Sequence, residues 1–131
     1  MMTQEKENRA EQQAKAQYES IKEMVEALHE AENNDDDDKR EEAIEAIQQD
    51  PLSVQVRSGW HNADEAGENA EYEILLCWGG PACRIIGELD EHNQPDSAII
   101  QYQDWFTSWT DYNDVDDEIL LDYARQFYCS L

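Results

Sequence analysis

The chain has 131 residues, of which 32 are Asp or Glu and 9 are Lys or Arg, so its formal net charge is -23 at pH 7. This length predicts one domain, and a 40% share of hydrophobic residues with 4 Trp and 6 Tyr is enough for a core, which argues against a wholly disordered chain. Direct binding to DNA, RNA or anionic lipid is disfavoured because all three are polyanions; the composition instead indicates a basic partner, and no membrane span or signal peptide is expected.

The first predicted element is a helix from Gln4 to about Glu32. Its apolar residues recur at alternating steps of four and three, and it contains no Pro or Gly. The resulting stripe consists of Ala14, Tyr18, Ile21, Val25 and Leu28. A stripe of this kind either docks on the rest of the chain or pairs with a second copy, so a homodimer through this helix stays open.

An Asn-Asn-Asp-Asp-Asp-Asp run at 33–38 ends this helix, because Asn and Asp side chains favour turns and caps. The same acids suit the start of a second helix, from about Asp37 to Gln49, which Pro51 follows. The sequence is therefore divided into an acidic helical N-terminal arm at 1–50 and a compact α+β domain at 51–131.

From Leu52 onward the hydrophobic period changes from helical to alternating. Four strands are predicted at 52–57, 71–78, 82–89 and 98–103, and the short connections make neighbouring strands antiparallel. An aromatic loop at 105–113 precedes a last helix at 116–129. The prediction is an α+β fold with two N-terminal helices, a four-stranded antiparallel meander and a C-terminal helix packed on the sheet.

Alternation from Leu52 to Arg57 predicts a half-buried first strand, and most aromatic side chains are expected in the core. The exceptions are the aromatic residues of the loop before the last helix. They are predicted to form a partly exposed patch, which consists of Trp105, Phe106, Trp109 and Tyr112.

Four strings in the second part of the chain are distinctive. They are PLSVQVRSGW (51–60), LCWGGPACRIIGELDE (76–91), QDWFTSWT (103–110) and ILLDYARQFY (119–128). Together they resemble a family of small phage and prophage proteins. The resemblance implies a phage or mobile-element origin and a place in the cytoplasm of an infected bacterial host. By class, it implies an inhibitor of host defence of the anti-CRISPR or anti-restriction type, and it implies no catalytic residues.

The residue types that hold metals show no ligand spacing. His29, His61, His92 and the three Cys lack the C-x2-C and H-x3-H patterns of zinc sites, and the acidic run at 33–38 lacks the central Gly of a calcium loop. Cys77 and Cys83 flank a Gly-Gly-Pro turn on neighbouring strands, so a disulfide is conceivable. Reduced thiols are favoured because no secretory signal is present.

Catalytic motifs are also missing. There is no G-x-S-x-G string, and Glu71 and Glu73 share a strand face in a chain where chance pairs of acids are frequent. Gly79-Gly80 precedes Pro81 rather than a helix, so no phosphate-binding loop is predicted. We expect no enzyme and no cofactor. A protein that sequesters nucleotides on its Trp side chains stays possible, although few positive groups accompany them.

The acids themselves are the remaining candidate for function. Acids three or four residues apart on a helix advance about 4.5–6 Å, and successive phosphates of one DNA strand advance about 3.4 Å along the axis. A basic channel would therefore meet comparable rows of negative charge. The predicted contacts to a basic nucleic-acid-binding protein are Glu19, Glu23, Glu26, Glu30, Asp35, Asp36, Asp37, Asp38, Asp111, Asp114, Asp116 and Asp117, with Trp105 and Trp109 as aromatic anchors.

The leading hypothesis is a non-enzymatic phage inhibitor that mimics nucleic acid. The alternatives are an oligomeric adaptor or scaffold of a phage or mobile element, which would use the first helix, and a protein that sequesters a small ligand. Adaptation to a high-salt cytosol would also explain the charge, but the chain carries more Ile, Gln and Cys than such proteins are expected to have.

Overall fold

The computed structural model describes residues 2–65, 69–79, 81–104 and 107–128. Across these residues, helices α1 (Met2–Asn33), α2 (Asp37–Gln49) and α3 (Asp117–Tyr128) accompany one antiparallel sheet. Its strands are β1 (Ser53–Ser58), β2 (Asn69–Cys77), β3 (Ala82–Glu88), β4 (Ile99–Gln103) and β5 (Thr110–Asp111), and their order in the sheet follows the chain. The predicted α+β class and the antiparallel meander are confirmed.

The fifth strand is a correction to the predicted strand count. Thr110 pairs with Tyr102 and Asp111 pairs with Gln101, inside the segment predicted as a loop. A strand of two residues is too short to show a hydrophobic alternation, so only its pairing with β4 reveals it.

The apolar stripe of α1 is docked within the chain. Ile21, Val25 and Leu28 are at most 2% exposed, and they belong to the same buried cluster as Ile85 and Ile100 of the sheet. α1 lies across β3 and β4, while α3 packs against α1, α2 and β4. The division near residue 50 stays a prediction, and residues on both sides of it share this core.

The helices cover the sheet unevenly, which corrects two burial predictions. Leu52 and Val56 are 63% and 42% exposed, because α1 lies over β3 and β4 rather than over β1. Trp60 and Trp78, expected in the core, are 106% and 69% exposed. Alternation therefore predicted the strand but not which strands the helices cover.

The aromatic loop is also rearranged relative to expectation. Tyr112, predicted in an exposed patch, is only 8% exposed, because its backbone N–H donates to the Ile100 carbonyl at 2.9 Å and draws it beside β4. Trp109 is half-buried. Trp105 and Phe106 lie outside the described residues.

Candidate acidic binding surface

Four of the predicted contact residues form a row on the outer side of α1. Glu19, Glu23, Glu26 and Glu30 are exposed, and the buried stripe occupies the opposite side of the helix. The row spans about 17 Å at the rise of an α-helix. Because the hydrophobic stripe packs one side of α1 against the sheet, the glutamates on the opposite side of the helix face solvent.

Two hydrogen-bonded contacts hold α1 against α3. The Tyr18 hydroxyl accepts the backbone N–H of Asp116 at 3.0 Å, although the two residues are 98 positions apart in sequence. Further along, His29 Nε2 lies 2.9 Å from Asp122 Oδ2. These contacts place the start of α3 beside the middle of α1.

Acids from both halves of the chain consequently meet around Tyr112. The pKa of the Tyr112 hydroxyl is raised, first because the side chain is buried, and then because the carboxylates of Asp114, Glu11 and Glu19 lie near it. Asp114 precedes α3, and the two glutamates belong to α1. The fold therefore brings Glu19 and Asp114, which were predicted separately, to one region of the surface.

The acids that begin α2 and α3 also shape the backbone. Asp36 is the N-cap of α2 and accepts the Lys39 N–H at 3.1 Å, and Asp116 Oδ1 accepts the Glu118 N–H at 3.0 Å at the start of α3. Asp35 occupies the left-handed region, with φ of 50°, between α1 and α2. These residues have a structural reason to be acidic or polar, independent of any partner.

Exposure is nevertheless shared by nearly all the acids of these segments. Among Asp35–Asp38 only Asp36 is half-buried, and Asp114, Asp116 and Asp117 are exposed. The predicted acids on the helices and at their starts are together called the acidic helical surface. It consists of Glu19, Glu23, Glu26, Glu30, Asp35, Asp36, Asp37, Asp38, Asp114, Asp116 and Asp117.

No Lys, Arg or His side chain neutralises this surface by an ion pair among the residues the structure describes. The pairs found there involve other acids: Arg57 with Glu71, Arg84 with Glu73, His92 with Glu91, and both His29 and Arg125 with Asp122. Within the described ranges, the acids of the acidic helical surface therefore have no cationic side chain at ion-pair distance.

Asp111 and Trp109 lie away from the acidic helical surface, on the face of the sheet that the helices leave open. Asp111 Oδ1 accepts Gln101 Nε2 at 2.7 Å, and the Arg84 guanidinium lies 4.1 Å from the centroid of the Trp109 ring. The fold does not bring them together with the rows on the helices. Trp105 lies outside the described residues.

Glu71 and Glu73, the two acids considered as a catalytic pair, also lie on this open face, and both are bound by arginines. Glu71 pairs with Arg57 across β1 and β2, and Glu73 accepts Arg84 Nη1 at 2.7 Å. They border a shallow groove of about 560 Å³ over β1–β4. Over the described ranges, no group of three or more His, Cys, Asp or Glu side chains is placed to hold a metal ion.

Sequence reasoning missed the residues that hold these acids in place. Tyr18 was assigned to the stripe alone, yet its hydroxyl also binds the backbone at the start of α3. Asp50, the C-cap of α2, accepts a hydrogen bond from the Tyr123 hydroxyl at 2.7 Å. A Tyr within an apolar helix stripe signals such a contact, because a buried hydroxyl needs a partner, but the sequence does not name the partner.

Comparisons with family models, with curated proteins and with solved structures find no match for this chain. None of the helices described here has an apolar stretch long enough to cross a membrane.

Proposed function

We propose that the protein is a non-enzymatic inhibitor that binds a basic nucleic-acid-binding surface and excludes DNA or RNA from it. The observation that carries the proposal is the acidic helical surface: all its acids except the half-buried Asp36 are exposed, and none has an ion-pair partner among the described residues. A surface of this kind repels polyanions and attracts Lys- and Arg-rich sites.

Rigidity supports this proposal as well as charge. The row on α1 is held by a helix whose opposite side is fully packed, and α3 is tied to it through Tyr18 and Asp116. Acids carried on a packed helix lose less backbone freedom on binding than acids of a disordered tail. A basic channel that binds a strand backbone therefore meets negative charges already arranged at a comparable pitch.

The resemblance to small phage and prophage proteins narrows the class of target we propose. A phage protein that blocks nucleic-acid binding would act on host defence, so CRISPR effectors and restriction enzymes are the first candidates. The fold leaves less support for an adaptor that oligomerises through α1, because the stripe such an adaptor would use is buried against the sheet of the same chain.

The test is a competition experiment with the full chain. The immobilised protein is offered a panel of purified CRISPR effectors and restriction enzymes, with and without the nucleic acid that each of them binds. We expect at least one member to bind and to be released by excess nucleic acid. Failure to bind any member of the panel would contradict the proposal, as would a ternary complex with the nucleic acid still bound.

A pair of charge-matched variants locates the binding surface. One changes Glu19, Glu23, Glu26 and Glu30 to Gln; the other changes Asp64 to Asn and Glu65, Glu88 and Glu91 to Gln, which are exposed acids outside the helices. The first should weaken binding by about tenfold or more and flatten its salt dependence, while the second changes it by less than about threefold. Equal losses would show that net charge alone drives binding.

A further inference from the structure

A β-bulge places two thiols opposite each other at the end of the β2–β3 hairpin. Leu75 pairs with Arg84, but the next pair joins Cys77 to Cys83, so β2 advances two residues while β3 advances one. Without this bulge Leu76 would oppose Cys83, and Cys77 would point to the other face of the sheet. A bulge re-aims the side chains that follow it, and here it creates the dithiol.

The pairing geometry suits a bond between the two sulfurs. Residues directly opposite in an antiparallel ladder have Cα atoms about 4.5–5.5 Å apart. Disulfides span Cα separations of about 4.4–6.8 Å. Both cysteines are free in the structure, and their thiols hydrogen-bond each other. The Cα separation expected of a directly opposed pair therefore lies within the range that a disulfide spans.

The two thiols differ in their access to solvent. Cys83 is 0% exposed within the core cluster, whereas Cys77 is half-buried beside the turn. The Cys77 thiol donates to the Pro81 carbonyl at 3.9 Å, and the Gln13 amide of α1 also lies within hydrogen-bond reach of it. Cys77 is therefore the more accessible of the two thiols to a reagent from solution.

The hydrogen bonds around the pair activate the exposed member. The Cys83 S–H donates to the Cys77 sulfur and lowers the pKa of the Cys77 thiol, an effect that burial partly opposes and that Gln13 adds to. The pKa of the Cys83 thiol is raised by the same hydrogen bond and by its burial. A thiol with a pKa nearer to ambient pH is a better nucleophile for disulfide exchange.

We propose that Cys77 and Cys83 form a redox-reactive dithiol that exchanges with small aliphatic disulfides such as oxidised glutathione, Cys77 being the attacking thiol and Cys83 the resolving thiol. The site is separate from the acidic helical surface, so this proposal stands or fails independently of the proposed function.

The exchange takes two steps. The Cys77 thiolate attacks one sulfur of the small disulfide; a bond forms from Cys77 to that sulfur, the original S–S bond breaks, and one small thiolate leaves and takes a proton from solvent. Cys83 then loses its proton and attacks the Cys77 sulfur, forming the Cys77–Cys83 bond and releasing the second small thiolate, which is also protonated. The two protein thiols are oxidised by two electrons, and the small disulfide is reduced to two thiols.

The experiment uses the full chain with Cys129→Ser, so that only these two thiols remain. The folded protein is incubated with excess oxidised glutathione, quenched with acid, alkylated and weighed by intact mass spectrometry. We expect the parent to lose two hydrogen masses and to carry neither glutathione nor an alkyl group. Adding Cys83→Ser should stop the reaction at one glutathione adduct, and adding Cys77→Ser should leave the native protein unreacted.

The parent protein alone can overturn the proposal, whatever the variants do. A parent that keeps glutathione without losing two hydrogen masses, or that is alkylated at both thiols, has no such dithiol. The pH dependence of Cys77 alkylation gives a second readout. Cys83→Ala removes the donor and should shift the midpoint to higher pH, whereas Cys83→Ser keeps a donor and should shift it less. An unchanged midpoint in Cys83→Ala would contradict the activating role of Cys83.

Discussion

The two faces of the sheet differ in where their charged side chains lie. The covered face is apolar, with Ile74, Ile85 and Ile100 all 0% exposed beneath the helices, and the acids lie one layer further out on the helix surfaces. The open face carries its charges directly on the strands and pairs them, as in Arg84 with Glu73. Among the described residues, both glutamates at 71 and 73 in β2 are paired with arginines of neighbouring strands, whereas no acid of the acidic helical surface has an ion-pair partner.

This contrast separates two uses of acidic residues in one small chain. On the open face, Glu73, Arg84, Gln101 and Asp111 form a continuous chain of hydrogen bonds from β2 to β5. That network stabilises strand pairing. The outer glutamates of α1 take part in no ion pair among the described residues, and like charges four residues apart on a helix repel each other.

The largest expected effect comes from two neighbouring residues on opposite faces. Ile85→Ala should cost about 3 kcal/mol of unfolding free energy, because it empties a fully buried site. Ile86→Ala, on the half-buried open side, should cost about 1 kcal/mol. Urea denaturation followed by circular dichroism measures both. Equal costs would mean that the open face is packed as tightly as the covered one.

The open-face network provides the next comparison. Arg84→Ala removes the donors to Glu73 and Gln101 and the cation over Trp109, and the Arg84 side chain is only 21% exposed. A loss of about 2 kcal/mol is expected. Arg57→Ala is the control: its side chain is 78% exposed, so its pair with Glu71 should contribute less than about 0.5 kcal/mol. Similar losses in the two variants would argue against a cooperative network around Arg84.

Alkaline titration examines a polar contact beneath the helices. The pKa of Tyr123 is raised by burial and then by its hydrogen bond to Asp50, so the folded state keeps the proton that an unfolded tyrosine releases near pH 10. Stability is therefore present below about pH 10 and falls as pH rises above it. Tyr123→Phe should cost about 1 kcal/mol at neutral pH.

The Tyr123→Phe variant should also show a shallower loss of stability above about pH 10, measured as urea midpoints across the pH range. A shallower slope, rather than a flat one, is expected because Tyr112 also has a raised pKa. An unchanged alkaline slope in the variant would contradict this assignment.

The smallest effect on stability is expected from the outer row of α1. Glu23→Gln with Glu26→Gln should change the unfolding free energy by less than about 0.5 kcal/mol, and the change should be stabilising at low salt because repulsion is relieved. Thermal melts at low and high salt measure it, and the gain should shrink as salt is added. A clear destabilisation would show that these acids support the fold after all.

The sequence predicted local structure well where a residue acts through its own segment. The bounds of α2 matched because Asp and Pro mark its two ends, and α1 followed from its stripe. Features set by tertiary packing could not be predicted from the sequence. They are the hydrogen bond between Tyr18 and Asp116, the two-residue strand β5, and the exposure of β1. Periodicity shows which side of an element is apolar, but not which neighbour covers it.

For the candidate surface, the sequence predicted the outward row on α1 but grouped it with residues the fold places elsewhere. Asp111 and Trp109 face the open side because β5 pairs with β4. The sequence pattern does not predict the bulge that places Cys77 opposite Cys83, because the bulge is defined only by the register of β2 against β3.

The exposed edge strand β1 has a consequence for handling the protein in solution. β1 pairs on one side with β2, residues 51–63 contain no acid, and Val54 and Val56 are 37% and 42% exposed, so its free edge is a template for another strand. The charge of -23 keeps copies apart at low ionic strength. Concentrated salt screens this repulsion, and a pH near 4.1 removes the net charge that causes it. Purification and storage should therefore use neutral pH and moderate salt, where repulsion between copies still opposes pairing through the edge of β1.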